Sequence, residues 1–437
     1  MAATKRLSLR DVLTDRRIAL MLPLGFSSGL PFLLVFSTLS AWLREAGISR
    51  TEIGLLSWLG FAYAWKFLWA PVIDRYDVPG LSRWLGRRRG WMALSQIGVA
   101  LGLCAVAASD PATSLGLTVA AALVVAFASA TQDVVVDGWR IDAAETSRQG
   151  MMAAAYQLGY RLALICAGAG ALYMAEFVSW HAAYFAMAAL MGVGLVGTLL
   201  APSPEDVTRR GRLSLAAAIA EPLRDLFARK GLLLIPILLL VGLFRLPDFV
   251  AGVMANPLYI DLGFSKTDIA NVSKLYGVWI GIVGAFGGGF ALTRLGLWPT
   301  LLVGAVIAAA SNLMFAWLAA AGTRLDLLTL AISVDNFAAG FAGSALIAYM
   351  SGLTSPAFAA TQYALLSSLY ALPGKFIGGF SGAVVDRWGY PTLFVATAAI
   401  GIPLVILCFV VRRDTLAAEA PAGEATGEAP QGAPARA

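Results

Sequence analysis

The chain has 437 residues, of which 59% are hydrophobic and only 13% charged, with a formal net charge of +6 and a mean hydropathy of +0.75. This composition excludes a soluble globular domain and a disordered chain, and it marks an integral membrane protein. The excess of base does not indicate nucleic acid, because the Lys and Arg residues lie in short loops between apolar stretches, the pattern that sets membrane orientation.

Apolar stretches of about 20 residues predict twelve helical spans, near 18–43, 51–73, 91–109, 113–136, 152–175, 180–200, 232–257, 267–293, 298–320, 326–350, 360–385 and 390–411. The first is too long for a signal-peptide core and lacks a small-residue cleavage site, so it reads as a retained helix. The second carries Lys66 near its middle, closes on Asp74-Arg75, and leads to a loop ending Gly86-Arg87-Arg88-Arg89-Gly90. An apolar run followed by an Arg cluster ends on the cytoplasmic side. Basic residues crowd that side again at Lys5, Arg6, Arg10, Arg16 and Arg17, at Arg209, Arg210, Arg212, Arg224, Arg229 and Lys230, and at Arg412 and Arg413. The opposite side holds Arg44, Arg50, Lys266, Arg324 and Arg387, so both termini are expected inside.

The clearest break in the chain is at 201–231, where Pro202, Pro204, Glu205 and Asp206 precede Arg209-Arg210. It divides a six-span half at 1–200 from a second half at 232–414, and 415–437 is an Ala/Gly/Pro/Glu tail expected to be disordered and cytoplasmic. Within the break, Ala216 to Leu226 reads either as an amphipathic helix on the inner membrane surface or as a plain basic tether. Six spans, a long inside loop and six more spans is the layout of major facilitator transporters, whose halves are parallel repeats with the substrate site at their interface. The halves correspond in part: Lys66 in the second span has Lys274 in the eighth, Gln132-Asp133 and Asp137 in the fourth have Asp335-Asn336 in the tenth, and Gln157 and Arg161 in the fifth have Gln362 and Lys375 in the eleventh.

A lysine in mid-span costs roughly 2.5–3.5 kcal/mol on the insertion scale unless it faces water or a partner, so Lys66, Arg161, Arg245, Lys274 and Lys375 are the candidate functional cations. Asp133 and Asp137, four apart, share a helix face and are candidates to carry a proton; Asp137 with Arg140 and Asp142 reads equally as an interfacial salt-bridge cluster. Tyr156 and Tyr160, beside Gln157 and Arg161, form adjacent aromatic and polar strips suited to a sugar or peptide. Arg245 and Asp248, three apart, read either as a site or as an intrahelical pair, and Asp335 has no base within its own span. Glycines such as Gly287-Gly288-Gly289 and Gly378-Gly379 read as close-packing positions. Cys104, Cys166, Cys408 and the single His181 have no metal or disulfide spacing, and no cofactor, nucleotide loop or nucleophile elbow is expected.

Several strings carry a family resemblance. Gly25-Phe26-Ser27-Ser28-Gly29-Leu30-Pro31, Tyr63-Ala64-Trp65-Lys66-Phe67-Leu68-Trp69-Ala70-Pro71-Val72-Ile73-Asp74-Arg75, Gly86-Arg87-Arg88-Arg89-Gly90-Trp91 and Ala130-Thr131-Gln132-Asp133 resemble the AmpG-type muropeptide permeases, as do Ala360-Thr361-Gln362-Tyr363-Ala364-Leu365-Leu366-Ser367-Ser368 and Ser381-Gly382-Ala383-Val384-Val385-Asp386. The resemblance implies a major facilitator permease of the bacterial inner membrane that imports N-acetylglucosaminyl-anhydro-N-acetylmuramyl peptides with protons for wall recycling, in some bacteria with β-lactamase induction. It gives the candidates a ligand. Cations at Lys66, Arg161, Arg245, Lys274 and Lys375, amides at Gln132, Gln157 and Gln362, and rings at Tyr63, Tyr156, Tyr160 and Tyr363 would hold the glycopeptide, while Asp133, Asp137, Asp248 or Asp335 would carry the proton. Asp74 and Arg75 are gating candidates, although Ala70 and the insertion of Asp77 to Leu85 interrupt the superfamily's cytoplasmic motif.

The expectation is therefore an all-α, twelve-helix, non-enzymatic transporter, monomeric in the bilayer, working by alternating access. The rivals are a similar transporter of another anionic solute, such as an acyl-CoA or a drug, and a membrane assembly factor with no transport activity.

Overall fold

The computed structural model describes residues 15–143, 146–202, 215–355 and 359–419. Among them all regular structure is helical, as lipid requires, because a backbone crossing hydrocarbon must satisfy its own hydrogen bonds. The first half comprises α1 (Arg16–Glu45), α2 (residues 50–75), α3 (Arg87–Ala108), α4 (Pro111–Ala143), α5 (Met151–Phe177) and α6 (Trp180–Leu200). After a linker helix, Leu215–Lys230, come α7 (Leu234–Leu243 and Leu246–Asp261), α8 (Lys266–Leu295), α9 (Leu297–Ala321), α10 (Leu325–Leu353), α11 (Ala359–Gly378) and α12 (Ser381–Val410). Among the described residues ten segments are long and apolar enough to cross a membrane unaided; the two further crossings are α2 and α11.

The sequence predicts one continuous helix over 51–73, and the structure divides it. A Ser49–Glu52 capping box starts Arg50–Leu56; tight 3₁₀ turns follow at Ser57–Gly60 and Lys66–Leu68, and Pro71 stands in the first turn of Ala70–Arg75. Short runs of 3₁₀ often mark hinges, and Lys66 begins one of them. Two further departures are π-helical turns, Cys166–Gly170 in α5 and Ile269–Tyr276 in α8. They abut across the halves, with the Lys274 stem 3.3 Å from the place a Cβ on Gly168 would occupy. At the other side of the interface α12 bends at Gly389, whose φ of 81° is open to glycine and strained for other residues.

Within each half, glycine sets the closest approaches. A Cβ on Gly25 would lie 2.1 Å from the Tyr156 carbonyl oxygen, where α1 meets α5, and one on Gly340 would lie 2.1 Å from the Gly281 carbonyl oxygen, where α10 meets α8. Such backbone contact is the usual way for helices to gain dispersion energy in lipid.

The apolar core changes character along the molecule. At the end opposite the termini one cluster runs through both halves, joining Leu39, Leu43 and Ile53 to Leu258, Tyr259, Val385 and Phe394. At the termini end it splits into two clusters, one around Ile237, Phe244, Tyr349 and Leu404 in the second half, the other around Met21, Ile73, Met92 and Trp139 in the first. The two halves are therefore joined at one end and part at the other.

Candidate functional site

Polar contacts between the halves repeat this asymmetry, and the described ones lie at the joined end or in the middle. At the rim, Asp261 at the end of α7 accepts from Arg44, from Arg50 at 2.8 Å and from the Tyr390 hydroxyl at 2.6 Å. Asp386 accepts from Arg50 at 3.2 Å and from the backbone and hydroxyl of Thr51 at 2.9 and 2.7 Å. Lys266 bridges Glu45 at 2.9 Å and Glu176 at 3.5 Å. These acids and bases come from α1, α2, α5, α7, α8 and α12 and form a latch. In the sequence Arg44, Arg50 and Lys266 read only as orientation signals; the clue to the latch is the matching set of acids, Glu45, Asp261 and Asp386, in the same short loops.

Below the latch a cavity of ≈ 290 Å³ lies between α1, α2, α7 and α11, lined by Phe32, Phe36, Ser57, Asp248, Phe249 and Lys375 among others. Lys375 donates to the Gly60 carbonyl at 3.0 Å and stands 5.9 Å over the Tyr63 ring, so one predicted cation and one predicted ring meet across the interface. The Tyr63 hydroxyl is buried without a hydrogen-bond partner. Arg245 and Asp248 form an ion pair at 2.7 Å within α7, the intrahelical alternative, and Asp248 also reaches the cavity wall. Arg245 extends to the Ala339 carbonyl at 3.5 Å, one turn beyond Asp335, which itself accepts from Ser311 at 3.4 Å.

Further toward the termini, Lys66 faces Asp133 at 3.7 Å, joining α2 to α4. One oxygen of Asp133, Oδ1, is buried with no hydrogen-bond partner. Gln157 and Arg161 are exposed, and no hydrogen bond or ion pair engages either among the described residues. A guanidinium exposed midway along a spanning helix belongs in a wet cavity, since lipid would not solvate it. Tyr156 and Tyr160 are partly covered, their rings 6.2 Å apart.

Five candidates are placed elsewhere. Gln362 is fully buried and its amide binds the linker helix: it donates to the Pro222 carbonyl at 2.9 Å and to Asp225 at 2.7 Å, and accepts from Arg229 at 3.2 Å and the Ser355 backbone at 2.7 Å. No capacity remains for a ligand. Tyr363 packs into the second-half core near the same end. Asp137 pairs with Arg140 at 3.3 Å and is half exposed, the salt-bridge alternative. Gln132 is buried and donates to Ser27 at 2.8 Å and Ser28 at 3.2 Å, holding α4 to α1. Lys274 donates to Ser37 at 2.7 Å and to Asn256 at 3.3 Å, while Asn256 donates back to Ser37; this tie joins the halves. The side chains of Asp74 and Arg75, the gating candidates, lie outside the described residues.

Replacing Gln362 by Ala leaves the Ser355 amide and the Pro222 carbonyl without this partner, while Asp225 keeps Arg229 at 3.0 Å, at a cost of about 1–3 kcal/mol. The expected readout is earlier thermal melting in detergent with an unchanged substrate KM. A raised KM with an unaltered melt would return Gln362 to the binding site.

The family model for the Major Facilitator Superfamily matches residues 21–379. The chain is 37% identical over 399 residues to the anhydromuropeptide permease of Escherichia coli K12, covering 91% of this chain and 80% of that one. It is 32% identical over 411 residues to the putative transporter AmpG 4 of Rickettsia felis, covering 93% and 99%. Among solved structures it is similar to the nucleoside transporter NupG (TM-score 0.67, 16% identity, 92% and 100% covered) and to a bacterial homologue of the lysosomal transporter Spinster in an inward-facing, unoccupied conformation (0.69, 15%, 92% and 97%), likenesses that concern the fold. A twelve-helix bundle joined at one end, a cavity at the seam of its halves and these sequence matches agree: the chain belongs to the major facilitator superfamily and, within it, to the AmpG-type muropeptide permeases.

Proposed function

We propose that this permease imports anhydromuropeptides, N-acetylglucosaminyl-anhydro-N-acetylmuramyl peptides, across the bacterial inner membrane together with protons. Both termini are cytoplasmic, residues 1–200 and 232–414 are the two moving halves, the protein acts as a monomer, and no catalysis or cofactor is involved. The relatives supply the substrate class. The observation that carries the reading in this chain is an unengaged Arg161 beside Gln157, on the helix that presents Tyr156 and Tyr160: a cation, an amide and rings left available at a site that must be wet. With the termini inside, the joined end is the outer one, and the state described is inward-facing.

Coupling follows from competition. Asp133 neutralises Lys66, so a substrate carboxylate and Asp133 vie for one ammonium. A proton on Asp133 releases Lys66 to the substrate, which makes proton and anion binding mutually supportive, as linkage requires. Lys375 supplies the matching cation from the other half, and Asp335 is the second candidate proton carrier.

Counterflow of radiolabelled anhydromuropeptide in proteoliposomes, with and without an imposed pH gradient, tests the reading; acetyl-CoA and simple sugars serve as competitors. Arg161→Ala is expected to raise KM by roughly 10–100-fold, the worth of a charge-assisted hydrogen bond to carboxylate, with a smaller change in maximal rate. An unchanged KM would remove Arg161 from the site, and stronger competition by acetyl-CoA than by muropeptide would assign another cargo.

A further inference from the structure

At the termini end of the second half Arg294, Arg412 and Arg413 are exposed, and no ion pair or hydrogen bond engages them among the described residues. The acid beside them in the chain, Asp414, is already committed, since both its oxygens accept from Lys230 at 2.8 Å. Two of the three arginines lie instead on aromatic rings: Arg412 at 4.6 Å over Trp298 and Arg294 at 5.3 Å over Phe290. Trp298, in the first turn of α9, donates its Nε1 to the Cys408 carbonyl of α12 at 2.9 Å and meets Phe409 edge-on at 5.5 Å. The ring is thereby fixed where α9 meets α12. Arg294 lies at the end of α8, and Gly296, with a φ of 85°, turns the chain back into α9. Toward the membrane middle the wall is apolar, with Ile406 and Phe409 on α12 and Phe290 on α8 each more than half exposed. None of these residues lines the cavity between α1, α2, α7 and α11.

We propose that this end of α8, α9 and α12 binds an anionic phospholipid of the adjoining leaflet, its phosphodiester on Arg412 and an acyl chain along Ile406 and Phe409. In the proposed orientation that is the inner leaflet. A guanidinium and a tryptophan at the end of a spanning segment sit at headgroup depth, above the hydrocarbon that the apolar wall faces. Lying on a ring leaves the guanidinium N–H groups without an acceptor, and their planar fork fits two oxygens of a phosphodiester. Charge selects among headgroups. Phosphatidylethanolamine brings its own ammonium, which Arg294 and Arg413 repel, whereas phosphatidylglycerol brings a net negative charge that all three arginines attract. The site stands whatever the cargo of the central cavity.

Native mass spectrometry of the full chain, released from micelles carrying equal amounts of phosphatidylglycerol and phosphatidylethanolamine, tests the site. The native protein is expected to retain phosphatidylglycerol over phosphatidylethanolamine by roughly tenfold, and Arg412→Gln to lower that preference about fivefold or more, the worth of one guanidinium at an anionic surface. Arg412 is exposed, so its loss leaves the fold intact. Arg387→Gln is the control: Arg387 also lies over a tryptophan, Trp388 at 5.2 Å, but at the opposite end of the molecule, and its loss should leave retention unchanged. In detergent, phosphatidylglycerol should raise the melting midpoint of the native protein and not of Arg412→Gln, and inorganic phosphate at the same concentration should raise neither. Equal retention of the two lipids, or a preference that survives in Arg412→Gln, overturns the site. Equal losses in Arg412→Gln and Arg387→Gln overturn it too, because charge without place would then explain the binding. A melting shift that inorganic phosphate reproduces would make the patch a site for small anions and overturn the lipid.

Discussion

Replacing Asp261 by asparagine is expected to release the latch and expose the cavity to the outer side. The carboxylate is reached from Arg44, Arg50 and Tyr390, and its side chain is only 15% exposed. Neutralising it leaves two guanidinium groups facing each other with Asp386 as the remaining acid. Removing one member of such a partly buried group costs about 2 kcal/mol after allowance for water at the rim, and in the proposed orientation that energy belongs to the closed outer gate alone. It converts to roughly a 30-fold shift in the ratio of closed to open molecules. A single cysteine at Ser40, on the cavity wall and 9% exposed, in a background lacking Cys104, Cys166 and Cys408, reports the change. An impermeant maleimide added from outside should label it at least about tenfold faster in Asp261→Asn. Unchanged labelling would show that apolar packing of Leu43, Leu258 and Tyr259, and not the ion pairs, holds that end.

Asp133→Asn should separate binding from coupling. The asparagine no longer neutralises Lys66, so substrate meets a free ammonium and counterflow continues, with KM equal or lower. Accumulation driven by a pH gradient is expected to fall about tenfold or more, to the level seen without a gradient, because the proton has lost its site. Lys66→Ala should do the reverse: it leaves Asp133 unpaired and raises the KM. Gradient-driven accumulation that survives in Asp133→Asn transfers the proton to Asp335, whose Asp335→Asn variant then shows the loss.

Sequence and structure divide these conclusions unevenly. The mid-span cations were legible because a charge in a hydrophobic run stands out against its neighbours; in the structure Lys66 faces Asp133, Arg161 is exposed and Lys375 lines a cavity. Gln362 was a plausible amide by the same logic, yet the linker helix and the Ser355 amide together take all of its hydrogen-bonding groups. The Ser57-to-Leu68 turns were not legible, since the apolar content of 51–73 is the same whether the segment is one helix or several. The linker itself offered two readings, and from Leu215 to Lys230 it is helical, fastened by Lys230 to Asp414 at 2.8 Å as well as by Asp225 to Gln362.

By itself the sequence determined that the chain crosses a membrane many times, which stretches cross it, which charges demand an explanation and which family the motifs resemble. Those are local properties: the length of an apolar run and the identity of the residue that interrupts it. Only the tertiary structure decided what answers each charge. Arg50 finds Asp261 across 211 positions and Asp386 across 336, separations at which spacing along the chain carries no information. In a low-dielectric bilayer a buried charge is tolerated through a partner or through water, and which of the two it meets depends on how whole helices pack. That packing made Arg44, Arg50 and Asp261 a latch, left Arg161 without an ion pair among the described residues, and formed a cavity of ≈ 290 Å³ between α1, α2, α7 and α11.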